Sequence, residues 1–431
     1  MKAIKNNILF LLIALFLVSC IHRRVIKPEI NYPSDTNTTQ APAYTEPSDT
    51  NNSFLGNSNH TPKKQKIKVG ILLPLTGKNK ELGQSLLNAA TMSLFENDTN
   101  DDIELIVFDA KDNQFGAEAA IKDAASREIK IIIGPVFSSS VEAIADKAKS
   151  EKMVVLSFSN NMDLANKEGI FLMGFTPEQQ IEKIVSYSIS RGKNNFSIIA
   201  PNNQYGIKIT NIFKETIQSK DGNFIISEFY LNNKELEKTA SRVVNAFVVP
   251  ERLSHREKKK ADNGLKEGDK VYSDTILIPE SGATLSKIVE AIKKSNVSER
   301  DFQLIGTNQW DEIATLNDPN LVGAWFPAPD FHEYRNFEKK YYKTYGKFPV
   351  RISSIAYDAI GAIISLAHQT GNGKLTVDDF INYSSAKNGF EGIDGLFRFL
   401  PNGIVQRNLA ILEVDNSEFG IVESPSIFLK Y

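Results

Sequence analysis

The sequence has little of what metal and disulfide sites are built from. It has one cysteine and five histidines among 431 residues. The histidines are scattered along the chain, so we expect neither a zinc cluster nor a disulfide framework. Positive and negative charges nearly cancel, at a formal net charge of −2, and no global field favours nucleic acid. We therefore predict no metal, no cofactor and no nucleic-acid partner.

Sequence motifs of the common enzyme classes are also missing. The chain has no GxGxxG, no HExxH and no GxSxG, and "GNGKLT" at 371–376 lacks the spacing of a phosphate-binding loop. A serine nucleophile would need a histidine base, yet His255, His332 and His368 fall in unrelated segments. We predict that the protein is not an enzyme.

The N-terminal apolar run is too short to span a membrane. It extends from Ile8 to Val18 after two lysines, whereas a spanning helix needs about 20 residues. This pattern is typical of a secretory signal peptide, here 1–19. The run ends in Leu-Val-Ser-Cys20, which resembles the lipobox of bacterial lipoproteins. That resemblance implies a lipid on the Cys20 thiol; the alternative is an ordinary signal peptide with an incidental cysteine.

The segment after the cysteine has the composition of a tether. Residues 20–66 are rich in Asn, Thr, Ser and Pro and have hardly any apolar periodicity, so they cannot bury enough surface to order themselves. The residue after the cysteine is Ile21 and not an aspartate. By resemblance to enterobacterial lipoproteins, this residue favours sorting to the outer membrane. We expect a periplasmic protein anchored to the outer membrane through Cys20.

From residue 67 onward, apolar strands alternate with helical patterns. "IKVGILLPL" is a nearly continuous apolar run, and "LGQSLLNAATMSLFEN" after it has apolar residues at helical spacing. The alternation restarts after Phe175. Strands that are apolar on both faces and separated by helices predict parallel sheets covered on both sides. The fold class is therefore α/β, with two doubly wound parallel-sheet lobes, and ligands would bind at the carboxyl ends of the strands.

Three serines stand where one such strand gives way to a helix. In "IIIGPVFSSSVEAIA" (131–145), Ser138, Ser139 and Ser140 would lie at the helix N-terminus, a place that favours anions because free N–H groups and the helix dipole point at it. Serines in this position could equally cap the helix without binding any ligand. The sequence leaves both alternatives open.

Several blocks in order resemble a known family. The chain carries "KVGILLPLTG", "IIIGPVFSSS", "VVLSFSN" and "NNQYG", and it resembles type I periplasmic binding proteins of the leucine/isoleucine/valine-receptor class from 67 to the C-terminus. The resemblance implies two lobes joined by three crossings, with a ligand between them. It places lobe 1 at about 67–175 and 323–395, and lobe 2 at about 176–322 and 396–431.

The resemblance also implies a ligand site in the cleft. In the amino-acid receptors, a hydroxyl of the serine run and the loop at 159–161 hold the ligand carboxylate, while two acidic residues hold the ammonium group. Here Asn308 stands at the second acidic position and supplies no charge, although Glu178 could supply the first. The carboxylate half of the site is thus kept and the ammonium half is broken. The candidate cleft residues are Ser138, Ser139, Ser159, Asn160, Tyr205 and Asn308.

A narrower resemblance concerns function. Blocks such as "GAWFPAPD" and "GLFRFLPNG" resemble penicillin-binding protein activator lipoproteins, which have the same fold and are thought to act on peptidoglycan synthases by contact. Our first hypothesis is therefore a regulator of peptidoglycan synthesis that contacts a penicillin-binding protein. The alternative is a substrate-binding lipoprotein that feeds amino acids or small peptides to an importer. A third hypothesis joins the two, with a cell-wall ligand that closes the lobes.

Aromatic residues in the second half offer a candidate partner surface. Trp325, with Trp310 and Phe326, could form a cleft wall or a patch facing a partner, although core packing would explain these residues equally well. Tyr341 lies in "FEKKYYKTYG", which reads as an amphipathic surface helix or a recognition surface. Trp325 and Tyr341 are the candidate partner-surface residues.

Overall fold

The computed structural model describes residues 66–249, 270–295, 300–370, 375–384, 389–416 and 418–426. The predicted signal peptide, Cys20 and all of the predicted tether except its last residue lie outside this part of the chain. Within it, every helix is too short or too polar to cross a membrane.

The first lobe is built on five parallel strands. They lie in the order β2-β1-β3-β4-β5, and the run of isoleucines in β3 is buried throughout because helices cover both faces of the sheet. The strands are β1 (Ile67–Leu73), β2 (Ile103–Asp109), β3 (Ile131–Ile133), β4 (Val154–Ser157) and β5 (Ile170–Leu172), and the helices between them are α1 (Lys80–Asn97), α2 (Gln114–Ser126) and α3 (Ser138–Ser150).

The second lobe has a seven-stranded sheet. Five of its strands are parallel, and two antiparallel strands extend the sheet at one edge, giving the order β16-β15-β12-β11-β10-β6-β7. The strands are β6 (Asn195–Pro201), β7 (Asn223–Tyr230), β10 (Thr275–Leu277), β11 (Gln303–Ile305), β12 (Trp325–Ala328), β15 (Ala410–Val414) and β16 (Phe419–Glu423). A separate short pair is formed by β8 (Phe247–Val248) and β9 (Val271–Tyr272), and the helices are α4 (Pro177–Ser190), α5 (Gln204–Ser219), α6 (Leu236–Asn245), α7 (Gly282–Ser295) and α8 (Ile313–Leu316).

The chain then returns to the first lobe with three helices and a hairpin. The helices are α9 (Phe331–Tyr345), α10 (Ser353–Gln369) and α11 (Val377–Ser384), and the hairpin strands are β13 (Phe397–Phe399) and β14 (Val405–Arg407). Asn402 and Gly403 form the hairpin turn, where Gly403 has φ +80°, a conformation that favours glycine. The turn meets the free edge of β5, since the N–H of Leu172 donates to the Gly403 carbonyl at 2.7 Å.

Small residues let α10 lie deep inside the first lobe. Its buried positions are mostly alanine, serine and isoleucine, so the backbone of α1 can approach closely. The Oγ atoms of Ser85 on α1 and Ser353 on α10 lie 2.7 Å apart and form a buried hydrogen bond. The core of this lobe thus combines residues from the beginning and the end of the fold.

The chain crosses between the lobes three times, as predicted, but two of the crossings lie at other residues than the predicted ones. Strand β12 belongs to the second sheet, so the second crossing follows Ala328 rather than residue 323; the reason is that Phe326 is buried against Trp310, with ring centroids 6.2 Å apart. The hairpin belongs to the first lobe, so the third crossing lies between Arg407 and Ala410 rather than at 396, because Phe399 packs into the first core.

Candidate functional site

The candidate cleft residues all follow parallel strands. Ser138 comes after β3, Ser159 after β4, Tyr205 after β6 and Asn308 after β11, so each lies at the carboxyl end of a sheet, where α/β proteins bind ligands. The geometry joins two of the predicted residues directly, since the Oγ atoms of Ser138 and Ser159 lie 2.8 Å apart.

The serines do not cap α3 with their side chains. The helix begins at Ser138, its cap position is Phe137, and no side-chain hydrogen bond caps it. Instead the Phe137 carbonyl accepts from the Ser140 N–H at 2.9 Å. Of the three serines, Ser138 is half-buried, Ser139 is exposed and Ser140 is buried. The alternative that these hydroxyls serve as helix caps is therefore wrong.

The loop after β4 is organised by its own serines. The Ser159 N–H donates to Ser157 Oγ at 3.0 Å, and the Asn161 N–H donates to Ser159 Oγ at 3.2 Å. Ser159 is buried, whereas Asn160 is exposed to solvent. The first lobe thus offers the hydroxyls of Ser138 and Ser159 to the cleft, already hydrogen-bonded to each other.

The second lobe contributes Tyr205 and the loop after β11. The Gln309 Nε2 donates to the Tyr205 hydroxyl at 3.1 Å, and burial raises the pKa of Tyr205 to about 12, so this phenol is neutral at physiological pH. The Asn308 N–H donates to Gln180 Oε1 at 2.8 Å, which fixes this loop to α4.

A lysine that sequence reasoning missed connects the two lobes. Lys208 on α5 places its Nζ 2.9 Å from Asp163 Oδ1 and 3.0 Å from Asn161 Oδ1, both in the loop after β4. Lys208 lies three residues after Tyr205, on the same side of the helix. That spacing is the only sequence signal that could have pointed to it. An ammonium group of the protein itself is therefore held in the cleft.

Glu178 lies in the same charged group. Burial raises its pKa, Lys208 opposes this effect and Asp163 adds to it. Among the described residues, the buried Glu178 Oε2 has no hydrogen-bond partner. The cleft near the first crossing thus contains one cation and several oxygen acceptors, one of them unsatisfied.

A second ion pair connects the lobes through Arg351. Its Nε lies 2.7 Å from Asp311 Oδ2, in the second lobe, and its Nη1 lies 2.9 Å from Asp394 Oδ1, in the first. The guanidinium also lies 4.0 Å from the ring centroid of Tyr334, a cation–π contact. Burial opposes the charge, but Asp394 and Asp311 outweigh it and raise the pKa of Arg351 above its ordinary value.

Of the two predicted partner-surface residues, Tyr341 is buried and Trp325 is half-buried. Tyr341 is 2% exposed, and its hydroxyl accepts from Asn88 Nδ2 at 3.0 Å, because this side of α9 faces α1. Trp325 is half-buried: its indole N–H donates to Glu413 Oε2 at 2.8 Å, and its ring meets Tyr187 edge-on at 4.9 Å. The core-packing alternative is correct for Trp310, which is fully buried.

One group of side chains in the described part of the chain could approach a metal ion. Atoms of Asp98, Asp102 and His368 lie within 4.8 Å of one another, near the carboxyl-terminal ends of α1 and α10. The Asp98 carboxylate already accepts from the N–H groups of Asp102 and Ile103, both at 2.9 Å. These bonds hold a turn together, which is a structural role.

Comparison with known proteins identifies the family of the chain. The model of the periplasmic binding protein family matches residues 66–418. The chain belongs to this family. Among relatives, the uncharacterized protein RP748 of Rickettsia prowazekii is 24% identical over 374 residues, covering 84% of this chain and 90% of the relative. The penicillin-binding protein activator LpoA of Photobacterium profundum is 24% identical over 177 residues.

The match to LpoA covers 41% of this chain and only 28% of that activator. Solved structures of periplasmic binding proteins share the whole fold. The leucine-binding protein LivK of Thermotoga maritima superposes with a TM-score of 0.57 at 16% identity, over 82% of this chain and 97% of LivK. The C-domain of LpoA from Haemophilus influenzae, a regulator of PBP1A, gives 0.59 at 17% identity, over 83% and 99%.

These comparisons confirm the predicted fold class and family. The similar proteins are binding proteins and activators, and membership of the family indicates a periplasmic location. At identities below one quarter, the solved structures establish the fold alone.

Proposed function

We propose that the protein is a membrane-anchored periplasmic lipoprotein that regulates peptidoglycan synthesis by contacting a penicillin-binding protein. The observation that carries the proposal is the Lys208 ammonium group, bound by Asn161 and Asp163 across the cleft. An importer's receptor closes around its solute, whereas here a side chain of the protein connects the lobes. The similarity to LpoA, a penicillin-binding protein activator, supports the same function.

Anchoring through Cys20 fits this proposal. A lipidated cysteine followed by a long polar tether at 20–66 would let the folded part reach an enzyme at some distance from the membrane. Mass spectrometry of the mature N-terminus tests this part, since a diacylglycerol-modified Cys20 is expected and a free N-terminal residue downstream would contradict it.

The regulatory part is tested by reconstitution. The full chain is purified in detergent and added to a purified bifunctional penicillin-binding protein from the same bacterium, with lipid-linked disaccharide as substrate. We expect the rate of cross-linking to rise and to saturate with the added protein. An unchanged rate, together with no complex by analytical ultracentrifugation, would contradict the proposal.

A second function is favoured by one observation, the unsatisfied Glu178 carboxylate. With the hydroxyls of Ser138 and Ser159, it could bind a solute that has both an ammonium and a carboxylate group, as an importer's receptor would. Calorimetric titration with amino acids and short peptides distinguishes the two functions. Micromolar binding that is lost in Glu178→Gln would support the receptor, and the absence of heat would leave the regulator.

A further inference from the structure

A cavity lies in the first lobe, between α1 and α9. Its volume is about 770 Å³, which is in the range of small-molecule sites. None of the candidate cleft residues lines it. The lining residues used below are Lys80, Glu81, Gln84, Asn88, Lys347 and Phe348.

An aromatic plate forms one wall of this cavity. Phe348 is 67% exposed and stacks on Tyr342, which is 49% exposed, with ring centroids 4.7 Å apart and planes inclined by 29°. Single exposed aromatic residues are common, but two stacked rings beside a cavity form a continuous apolar surface. Phe348 stays largely exposed beside Tyr342, and a sugar ring can pack its C–H face against an exposed aromatic ring.

Hydrogen-bonded amide side chains of α1 also line the cavity. Gln84 Nε2 donates to Asn88 Oδ1 at 2.8 Å, and Asn88 Nδ2 donates to the Tyr341 hydroxyl at 3.0 Å. The Tyr345 hydroxyl donates to the Asn88 carbonyl at 2.9 Å. These hydrogen bonds restrain the amide groups, so that ordering them around a ligand costs less conformational entropy. Gln84 is exposed, and its side-chain oxygen Oε1 can accept hydrogen bonds from hydroxyl groups of a ligand.

The rim of the cavity is positively charged. Lys80 and Lys347 are exposed there, and neither forms an ion pair within the described part of the chain. Glu81 is the one acidic residue in the lining; its carboxylate can accept from a sugar hydroxyl. Two lysines against one glutamate favour a ligand with a negative group, because ammonium–carboxylate hydrogen bonds are stronger than neutral ones.

We propose that this cavity binds a saccharide that carries a carboxylate. The sugar ring packs on Phe348, hydroxyl groups bond to Gln84 and Glu81, and the carboxylate lies between Lys80 and Lys347. An acidic peptide would satisfy the lysines, but it would lack the dense hydroxyl groups that suit the amide wall. The proposal depends neither on the cleft nor on a protein partner.

Calorimetry of the full chain in detergent tests the proposal with two matched disaccharides. The first is N-acetylglucosaminyl-N-acetylmuramic acid, which has one lactyl carboxylate, and the second is neutral N,N′-diacetylchitobiose. We expect the acidic disaccharide to bind, and the neutral one to bind about two- to fivefold more weakly, the range expected for one exposed ion pair. Added salt should reduce this difference.

Two variants locate the binding. Phe348→Ala should weaken binding of the acidic disaccharide at least about fivefold, as loss of an aromatic contact does. Phe115→Ala is the control and should leave the affinity unchanged. Phe115 is also an aromatic residue of the first lobe, is 81% exposed and lies outside the cavity. Lys80→Gln combined with Lys347→Gln should remove the preference for the acidic disaccharide. No binding, equal affinity for both disaccharides, insensitivity to Phe348→Ala, or equally tight binding of triglutamate would each overturn the proposal.

Discussion

In the described part of the chain, two ion pairs connect the lobes, and they differ in their exposure to solvent. In the first, Lys208 is 34% exposed and Asp163 is 75% exposed, so water has access to the aspartate carboxylate. In the second, Arg351 and Asp311 are mostly buried, and Asp394 is completely buried. Exposed pairs contribute little to stability, whereas a buried pair leaves an uncompensated charge when one partner is removed. We call the buried pairing of Arg351 with Asp311 and Asp394 the fixed connection, and the more exposed pair of Lys208 and Asp163 the exposed pair.

The fixed connection belongs to a larger buried network. Ser354 Oγ donates to Asp394 Oδ2 at 2.6 Å, so Asp394 has partners on two sides. Nearby, Arg407 Nη1 lies 3.3 Å from Asp358 Oδ2, and both side chains are almost completely buried. Burial raises the pKa of Asp358, with the negative charge of Asp394 adding to the effect and Arg407 opposing it. Protonation in this region is therefore coupled to folding.

The largest effect is expected from breaking the fixed connection. Arg351→Met leaves Asp394 and Asp311 without their cation, and we expect the free energy of unfolding to fall by about 3 kcal/mol. Denaturant titration followed by tryptophan fluorescence measures this loss. A matched change in the exposed pair, Lys208→Met, serves as the control. Equal losses in the two variants would show that the distinction between the pairs is wrong.

A smaller, pH-dependent effect is expected from Asp358. Because its pKa is raised from 3.8 to about 7, the folded protein keeps this proton to higher pH than the unfolded chain does. The stability that it contributes is therefore present at low pH and lost as the pH rises toward about 7. Asp358→Asn imitates the protonated carboxyl and should keep this stability as the pH rises.

Unfolding free energies of the wild type and of Asp358→Asn, measured between about pH 5 and 7, test this expectation. The wild type should lose on the order of 1–2 kcal/mol relative to the variant across this interval. Other titrating groups are common to both proteins and cancel in the difference. Parallel curves would contradict the raised pKa.

The smallest effect on stability is expected from the exposed pair, together with a change in shape. Lys208→Met should lower the free energy of unfolding by less than about 1 kcal/mol, while the lobes lose a connection across the cleft. Small-angle X-ray scattering should then show a larger radius of gyration. Lys214→Met, on the same helix α5, is the matched control. An unchanged radius in Lys208→Met would show that this pair does not hold the lobes together.

Much of the fold could be predicted because strands and helices follow local patterns. The apolar run at 131–133 forms a buried strand, as periodicity predicts. Local patterns do not show to which lobe a strand belongs. Phe326 and Phe399 are equally apolar in sequence, and only packing assigns them to different cores.

The candidate site could be predicted in position but not in its contacts. The serines and Tyr205 lie at the strand ends where the parallel-sheet rule puts them. Lys208 and Asp163 are 45 residues apart, and no local pattern pairs them. The lysines that flank Tyr341 predict an exposed side chain, yet its side of the helix faces α1. Amphipathic patterns show that a helix has two faces, but not what covers each face.

The hairpin that meets β5 sets an order for the formation of the first lobe. Strand β5 is synthesised near the middle of the chain, but the partner of its outer edge, Gly403, comes near the end. The core of this lobe likewise needs α10 and Phe399. A nascent chain cannot complete the first lobe until nearly all of it has been made, whereas domains that are continuous in sequence can fold as they emerge. The first lobe therefore stays incomplete until late in synthesis, and its apolar surfaces are exposed to aggregation during that time.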